Sequence, residues 1–163
     1  MPRYSNKPLA ERLGLKPFQR LYFEDAPLLY LDALGPSPAG IRFLEKPDGP
    51  IDFIHLFVRE RHTLEARLPL LAKQLSPRGM LWVSWPGRQS DVTGMDGDAV
   101  REIGAAWGLS GVKTCEIDDR WIGCKLVYRK RGRPRAAGFA SATLAPPNGR
   151  AERREAVLAT AMR

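Results

Sequence analysis

Several things are scarce in this sequence, and each scarcity excludes a class of protein. Of 163 residues, two are cysteine and two are histidine. Cys115 and Cys124 cannot make a disulfide framework, and as thiols in a cytoplasmic setting they read as buried core residues. His55 and His62 lack the neighbouring Cys, Asp or Glu spacing of a metal site, so no metal is expected. No apolar run approaches the roughly 18 residues of a membrane span. The opening "MPRYSNKPLAERLG" has no apolar signal core, so the reading is a cytoplasmic chain without a membrane partner. Ser84 has no Gly-x-Ser-x-Gly elbow around it, which argues against a hydrolase nucleophile. No repeat is visible, and no residue stands out as catalytic. There are 15 glycines, yet none lies between Gly14 and Gly35.

What is present suits one globular body: 44% of the residues are hydrophobic and 27% charged, enough for a single core. The net charge of +8 is unevenly placed, because Arg129–Arg163 holds nine Lys/Arg against Glu152 and Glu155. Residues 1–129 are therefore read as the folded domain. Residues 130–163, rich in Pro, Gly, Ala and Arg, are read as a disordered basic tail.

Strand and helix patterns alternate through the body. "SNKPLAERLGLKP" reads as a short helix capped by Ser5 or Asn6 and stopped at Gly14. Gln19–Glu24 is a strand, "APLLYLDALG" a helix starting at Pro27, and Gly40–Glu45 a second strand. Ile51–Val58 is apolar except for Asp52 and His55, as in a parallel strand buried on both faces. "HTLEARLPLLAKQL" is a helix with Thr63 as candidate cap and Pro69 predicting a kink or a late start. After a "SPRG" turn, Gly79–Trp85 is another doubly buried strand, and "GDAVREIGAAW" a helix stopped by Gly108. "GVKTCEIDDRWIGCKLVYR" reads as an antiparallel hairpin turning at Asp119-Arg120. That register sets Cys115 opposite Cys124 and Ile117 opposite Ile122, with all four on one core-facing side. The fold class is α/β, a truncated, Rossmann-like, mostly parallel sheet flanked by helices and ending in the hairpin.

The stretches "YSNKPLAERLGLKP", "IDFIHLFVRERHTLEARLP", "GMLWVSWP" and "VKTCEIDDRWIGCKLVYR" carry a resemblance. Across residues 4–129 the chain resembles a small bacterial family of class I methyltransferase-like domains whose activity is unassigned. The resemblance implies a Rossmann-type sheet. In methyltransferases proper, a glycine-rich turn after the first strand lets backbone approach the cofactor. Here "YFEDAPLLYLDALG" puts Ala26-Pro27 at that bend, followed by Leu28, Leu29 and Tyr30. Pro27 lacks an N–H, and the bulky residues are expected to fill the cofactor's space. The interval from Glu24 to Ile51 is also short for the full first half of such a sheet.

The expected function is accordingly an interaction or regulatory module without methyltransferase activity, working through a protein partner. No cofactor is expected; an atypical S-adenosylmethionine-dependent methyltransferase is the alternative. If a ligand binds, Asp25, Glu45, Ser84, Trp85 and Arg88 are the candidate contacts. Glu45 corresponds in kind to the acid that holds ribose hydroxyls, and the others lie at strand ends. Trp82 and Trp85 alternate to opposite faces and cannot form one platform, and His55 reads as a hydrogen-bonded core residue. In the tail, Arg131-Gly132-Arg133-Pro134 resembles an AT-hook core. Arg131 and Arg133 would enter an A·T-rich minor groove while Arg129, Lys130 and Arg135 meet phosphates. A DNA-associated accessory protein is the second alternative.

Overall fold

The structure is a computed structural model that describes residues 7–87 and 94–129. They belong to the unit Met1–Arg129; the second unit, Lys130–Arg163, lies outside the described residues. The elements are α1 (Leu9–Leu13), β1 (Arg20–Glu24), α2 (Tyr30–Leu34), β2 (Arg42–Phe43) and β3 (Ile51–Phe57). They continue as α3 (Arg61–Gln74), β4 (Leu75–Pro86), α4 (Gly97–Ala105), β5 (Leu109–Glu116) and β6 (Trp121–Tyr128). One six-stranded sheet has the order β2-β1-β3-β4-β6-β5. The first four strands in that order are parallel, and β6 is antiparallel to both β4 and β5. This is the mostly parallel α/β sheet with a terminal hairpin that the sequence implies. Beyond β1 it ends at the two-residue β2, in keeping with the short interval between Glu24 and Ile51.

Side-chain alternation divides the core between the two faces of the sheet. Ile54, Leu56, Leu81, Val83 and Trp85 pack with Leu64, Leu68 and Leu71 of α3 and Val100 and Ile103 of α4. Phe53, Phe57, Met80 and Trp82 pack with Leu9 and Leu13 of α1 and Tyr30 and Leu34 of α2. Trp82 lies fully buried and donates its indole N–H to the Leu13 carbonyl at 3.0 Å, tying α1 to the sheet. Asp52, one of the two polar interruptions of β3, accepts from the Arg20 backbone N–H at 2.8 Å and from the Ser76 hydroxyl at 3.3 Å. It thereby pins the start of β1 and the irregular start of β4.

Local expectations hold in part. Gly14 does end α1, with φ +91, a backbone state that costs glycine little. The helix begins after Pro8 without a side-chain cap; Ser5 and Asn6 lie outside the described residues. α2 starts at Tyr30, not Pro27, because Pro27–Tyr30 forms a turn closed by Tyr30 N–H to the Pro27 carbonyl at 3.0 Å. α3 begins at Arg61 after Glu60 and runs through Pro69, so Thr63 is not its cap and the start is not late. "SPRG" is no free turn but a bulge in β4: Ile51 pairs with Leu75 while Phe53 pairs with Met80. A β-carbon at Gly79 would meet the Asp52 and Ile51 carbonyls at 3.0 Å, so the bulge needs glycine there.

The hairpin register is one residue off the expected one. Cys115 pairs with Gly123 and Thr114 with Cys124. The turn is longer than two residues, because the Asp118 carboxylate accepts from the backbone N–H of Arg120 and of Trp121, each at 2.8 Å. The Trp121 carbonyl accepts from Ile117 at 2.8 Å. A short polar side chain mimicking a backbone turn in this way absorbs an extra residue. Cys115 and Ile117 consequently face the α1–α2 side, while Cys124, Leu126 and Ile122 face α3 and α4. The sheet thus stands between the two thiols. Exposing the native chain to diamide should yield no intramolecular disulfide, with both thiols still titratable after denaturation. A Cys115–Cys124 crosslink in a peptide mass map would restore the facing register.

Candidate functional site

The sheet turns its strand ends into one cleft. β1 leads to β2 on one side of the sheet, and β3 lies on the other side of β1. Neighbouring strands whose connections diverge leave a crevice at their carboxyl ends, where open α/β sheets bind ligands. A cavity of about 870 Å³ lies there, lined by Asp25, Pro27, Phe57, Arg59, Arg120 and Trp121 among others. That volume falls within the roughly 300–1,000 Å³ of small-molecule sites.

Each wall follows from local structure. Asp25 leaves β1 with φ +57, the left-handed region that Asp tolerates better than most residues. The chain then swings outward, and Leu28 and Leu29 are 97% and 67% exposed. The expectation that these bulky residues fill the bend is not met: Leu29 is exposed, and Leu28, though exposed, borders the cavity without filling it. Tyr30 alone turns inward and is buried. The β3 end is fastened to β4 by Val58 N–H donating to the Ser84 carbonyl at 2.9 Å. The hairpin turn is fastened to the β4 end by Gly87 N–H donating to the Arg120 carbonyl at 2.9 Å.

Beneath the cleft lies a buried polar chain. His55 Nδ1 and the Tyr30 hydroxyl are 2.6 Å apart, and His55 Nε2 and the Ser84 hydroxyl 2.7 Å. Both ring nitrogens are satisfied in either neutral tautomer. Burial pushes His55 from its ordinary 6.5 down to about 3 and raises Tyr30 well above its ordinary value, so both are neutral at physiological pH. Phe57 stacks on the imidazole, centroids 4.1 Å apart. Trp121 meets Phe57 edge-on at 5.2 Å, and the Arg59 guanidinium lies 5.2 Å over the Trp121 ring. An unbroken stack thus runs from a buried imidazole to an exposed cation at the cleft.

The two acids at the end of β1 have opposite fates. Glu24 is nearly buried and accepts two bonds from Arg67 of α3, at 2.5 and 2.7 Å, plus one from the Tyr22 hydroxyl at 2.9 Å. Burial, with the Glu24 bond second, pushes Tyr22 up to about 12. Asp25 is exposed at the cleft and makes no ion pair among the described residues.

Of the residues expected at a ligand, Asp25 lines the cleft. Ser84 does not: it is fully buried, bonded to His55, one layer below. Trp85 is buried against α3 and α4 on the other face. Glu45 is exposed beyond β2 and is not among the lining residues, because β2 stops at Phe43. Arg88 lies outside the described residues, as do Lys130, Arg131, Arg133 and Arg135. Arg129 is exposed and donates its backbone N–H to the Gly108 carbonyl at 3.1 Å. Among the described residues no cluster of His, Cys, Asp or Glu is placed to hold a metal ion, and no helix is long and apolar enough to cross a membrane. Phe57, Arg59, Thr63, Arg120 and Trp121 were not anticipated at the cleft. The available signal was position: Phe57 ends β3 and Arg59 follows it, Thr63 lies in the first turn of α3, and Arg120 and Trp121 sit at the hairpin turn.

No family model and no curated protein matches the chain. Among solved structures it is similar to a SAM-dependent methyltransferase from Aquifex aeolicus, at 14% identity over 71% of this chain and 85% of that one, TM-score 0.48. It is also similar to magnesium protoporphyrin IX methyltransferase from Synechocystis with bound SAM, at 12% identity over 74% of each chain, TM-score 0.48. A third is the fibrillarin pre-rRNA processing protein of Methanococcus jannaschii, at 17% identity over 76% of this chain and 70% of that one, TM-score 0.45. These are likenesses of chain arrangement, and no residue role passes across them.

Because His55 is neutral when folded and ionises near 6.5 when unfolded, the unfolded chain binds more protons between those values. Its contribution is complete above about pH 6.5 and is lost as pH falls toward 3. Urea unfolding across that window should show wild-type stability falling by about 1 kcal/mol per pH unit more steeply than that of His55→Gln. Equal slopes would place the acid sensitivity elsewhere. Tyr30→Phe should cost about 1–3 kcal/mol by leaving a buried ring nitrogen unpartnered; a cost within error of zero in the same titrations would dissolve the polar chain.

Proposed function

We propose that the chain is an atypical S-adenosylmethionine-binding domain of the methyltransferase type, with the cofactor in the cleft between the ends of β1 and β3. One observation carries the reading: among the described residues the bend after β1, where the sequence suggested a blocked site, borders a cleft and presents a carboxylate without an ion pair, Asp25. The cleft answers one ground for expecting no cofactor, the bulk of the bend; the missing glycine turn remains.

The residues present fit the group in most respects. The volume is sufficient, Phe57 and Val58 supply an apolar wall, and Asp25 offers an acceptor for the ammonium or the hydroxyls. The positive φ at Asp25 gives the backbone the turn that glycine gives elsewhere. The departure is Pro27, which removes one N–H from the bend. The five-residue α2 also begins three residues later than Pro27, so helix-end amides cannot substitute. Asp25, Phe57 and Val58 would hold the cofactor, which when bound supplies a methyl group on a sulfonium. Glu24 is committed to Arg67 and shapes the bend without reaching the ligand.

A second reading, docking of a protein partner, is favoured by the exposed apolar group Leu28, Leu29 and Leu31 beside the cleft. Isolated exposed aliphatics are ordinary on protein surfaces, whereas clusters mark interaction sites.

S-adenosylmethionine should raise the melting temperature of the full chain saturably, by a few degrees at a hundredfold excess over Kd. Asp25→Asn, which keeps a residue tolerant of positive φ, should leave the unliganded melting temperature nearly unchanged. It should weaken cofactor binding about tenfold, the loss of one charge-assisted hydrogen bond. A wild-type chain indifferent to millimolar cofactor sinks this reading and leaves the docking one.

A further inference from the structure

The cleft that Asp25 lines also carries two arginines. Arg59 follows β3, and Arg120 lies in the turn that starts β6. Neither takes part in an ion pair among the described residues, whereas Arg61, Arg67 and Arg101 each pair with a carboxylate. Glu60 also lines the cleft; its exposed carboxylate lies 3.6 Å from the His62 ring, a pair only when that ring is protonated, and makes no ion pair with Arg59 or Arg120. Asp25 makes no salt bridge across to either arginine.

Both arginines stand on fixed backbone. Val58, next to Arg59, is bonded to Ser84, and Arg120 is held by the Asp118 carboxylate on one side and Gly87 on the other. The Arg59 guanidinium rests over the Trp121 ring. Such a contact is an electrostatic attraction to the ring, and Arg59 makes no side-chain hydrogen bond or ion pair among the described residues. Trp121 therefore helps to position Arg59, whose donors have no acceptor among the described residues. Two unspent guanidiniums in one concavity repel each other until an anion joins them, and the planar fork of each matches a carboxylate or phosphate.

We propose that Arg59 and Arg120 form an anion subsite taking the carboxylate or phosphate of a second ligand. This deepens the reading of the cleft as a ligand site. The cleft then offers two kinds of partner, Asp25 for positive or hydroxyl groups and the arginine pair for the acceptor's negative group.

The test uses the isotope-labelled full chain with three probes of similar ring size: benzoate, phenyl phosphate and the uncharged benzamide. At least one anionic probe should shift the backbone amides of Arg59 and Arg120 and the Trp121 indole saturably. Benzamide should bind at least tenfold more weakly. Arg59→Gln and Arg120→Gln should each weaken the anion at least tenfold with an otherwise unchanged amide spectrum. A preference for phenyl phosphate assigns a phosphate-bearing ligand, and the reverse a carboxylate. Equal affinity for benzamide, undiminished binding in Arg120→Gln, or shifts confined to residues 130–163 would each overturn the subsite. No cofactor is in the titration, so a chain that ignores S-adenosylmethionine still answers this question.

Discussion

A neutral imidazole held under the strand ends is the constraint on which the cleft depends. His55 joins three elements far apart in sequence: Tyr30 on α2, its own strand β3, and Ser84 on β4. A polar group buried without its partner costs about 1–3 kcal/mol, so α2 and the two strands are locked together at this level. The lock reaches a fourth element. Gly123 of β6 pairs with Ser84, and a β-carbon there would stand 2.8 Å from the serine oxygen. β6 must therefore offer glycine where the network passes. Above the imidazole, Phe57 stacks on it, Trp121 meets Phe57 edge-on, and Arg59 lies over Trp121. The floor of the cleft is thus fixed from below, and its surface cation inherits that order.

Much of the architecture was legible in residue pattern. The apolar runs of β3 and β4 alternate across both faces with no polar residue left unexplained, since Asp52 and His55 each have partners in the structure. A strand buried on both sides has to read that way. The opposite placement of Trp82 and Trp85 follows from alternation alone, and the core role of His55 from its apolar neighbours. The hairpin was misplaced by one residue because the deciding contact is a side chain. Asp118 closes the turn in place of backbone, and a one-residue slip exchanges faces for every residue of one strand relative to the other. Ser84 shows the same limit at the site. A polar residue near a strand end reads as a ligand contact, yet its neighbour across the sheet had already claimed it.

The bend after β1 was harder to read because composition gives bulk but not direction. "DAPLLY" contains enough aliphatic volume to fill a cofactor's place. It does not, because the turn at Asp25 sends Leu28 and Leu29 outward and returns only Tyr30 to the interior. A single φ angle decides this, and aspartate is among the few residues besides glycine that adopt it at modest cost. Positive φ alone does not mark a functional residue. Phe18, before β1, shares it at φ +65 and packs against Gly40. What separates Asp25 is that its strained backbone presents a charged group into a cavity.

The adjacent acids Glu24 and Asp25 show how one strand end serves structure and ligand at once. Glu24 points toward α3, where Arg67 engages it through two bonds and Tyr22 through a third. A carboxylate so nearly buried is tolerable only with such partners, and those partners fix the last residue of β1. The left-handed step at Asp25 then turns the chain, and the Asp25 side chain lines the cleft. Were residue 25 in ordinary extended conformation, the chain would continue along β1 past the strand ends instead of turning at the cleft. The strain of that one residue, of order 1 kcal/mol, is what converts a strand terminus into a wall. It is held by the salt bridge immediately before it and by the buried anchoring of Tyr30 five residues after it.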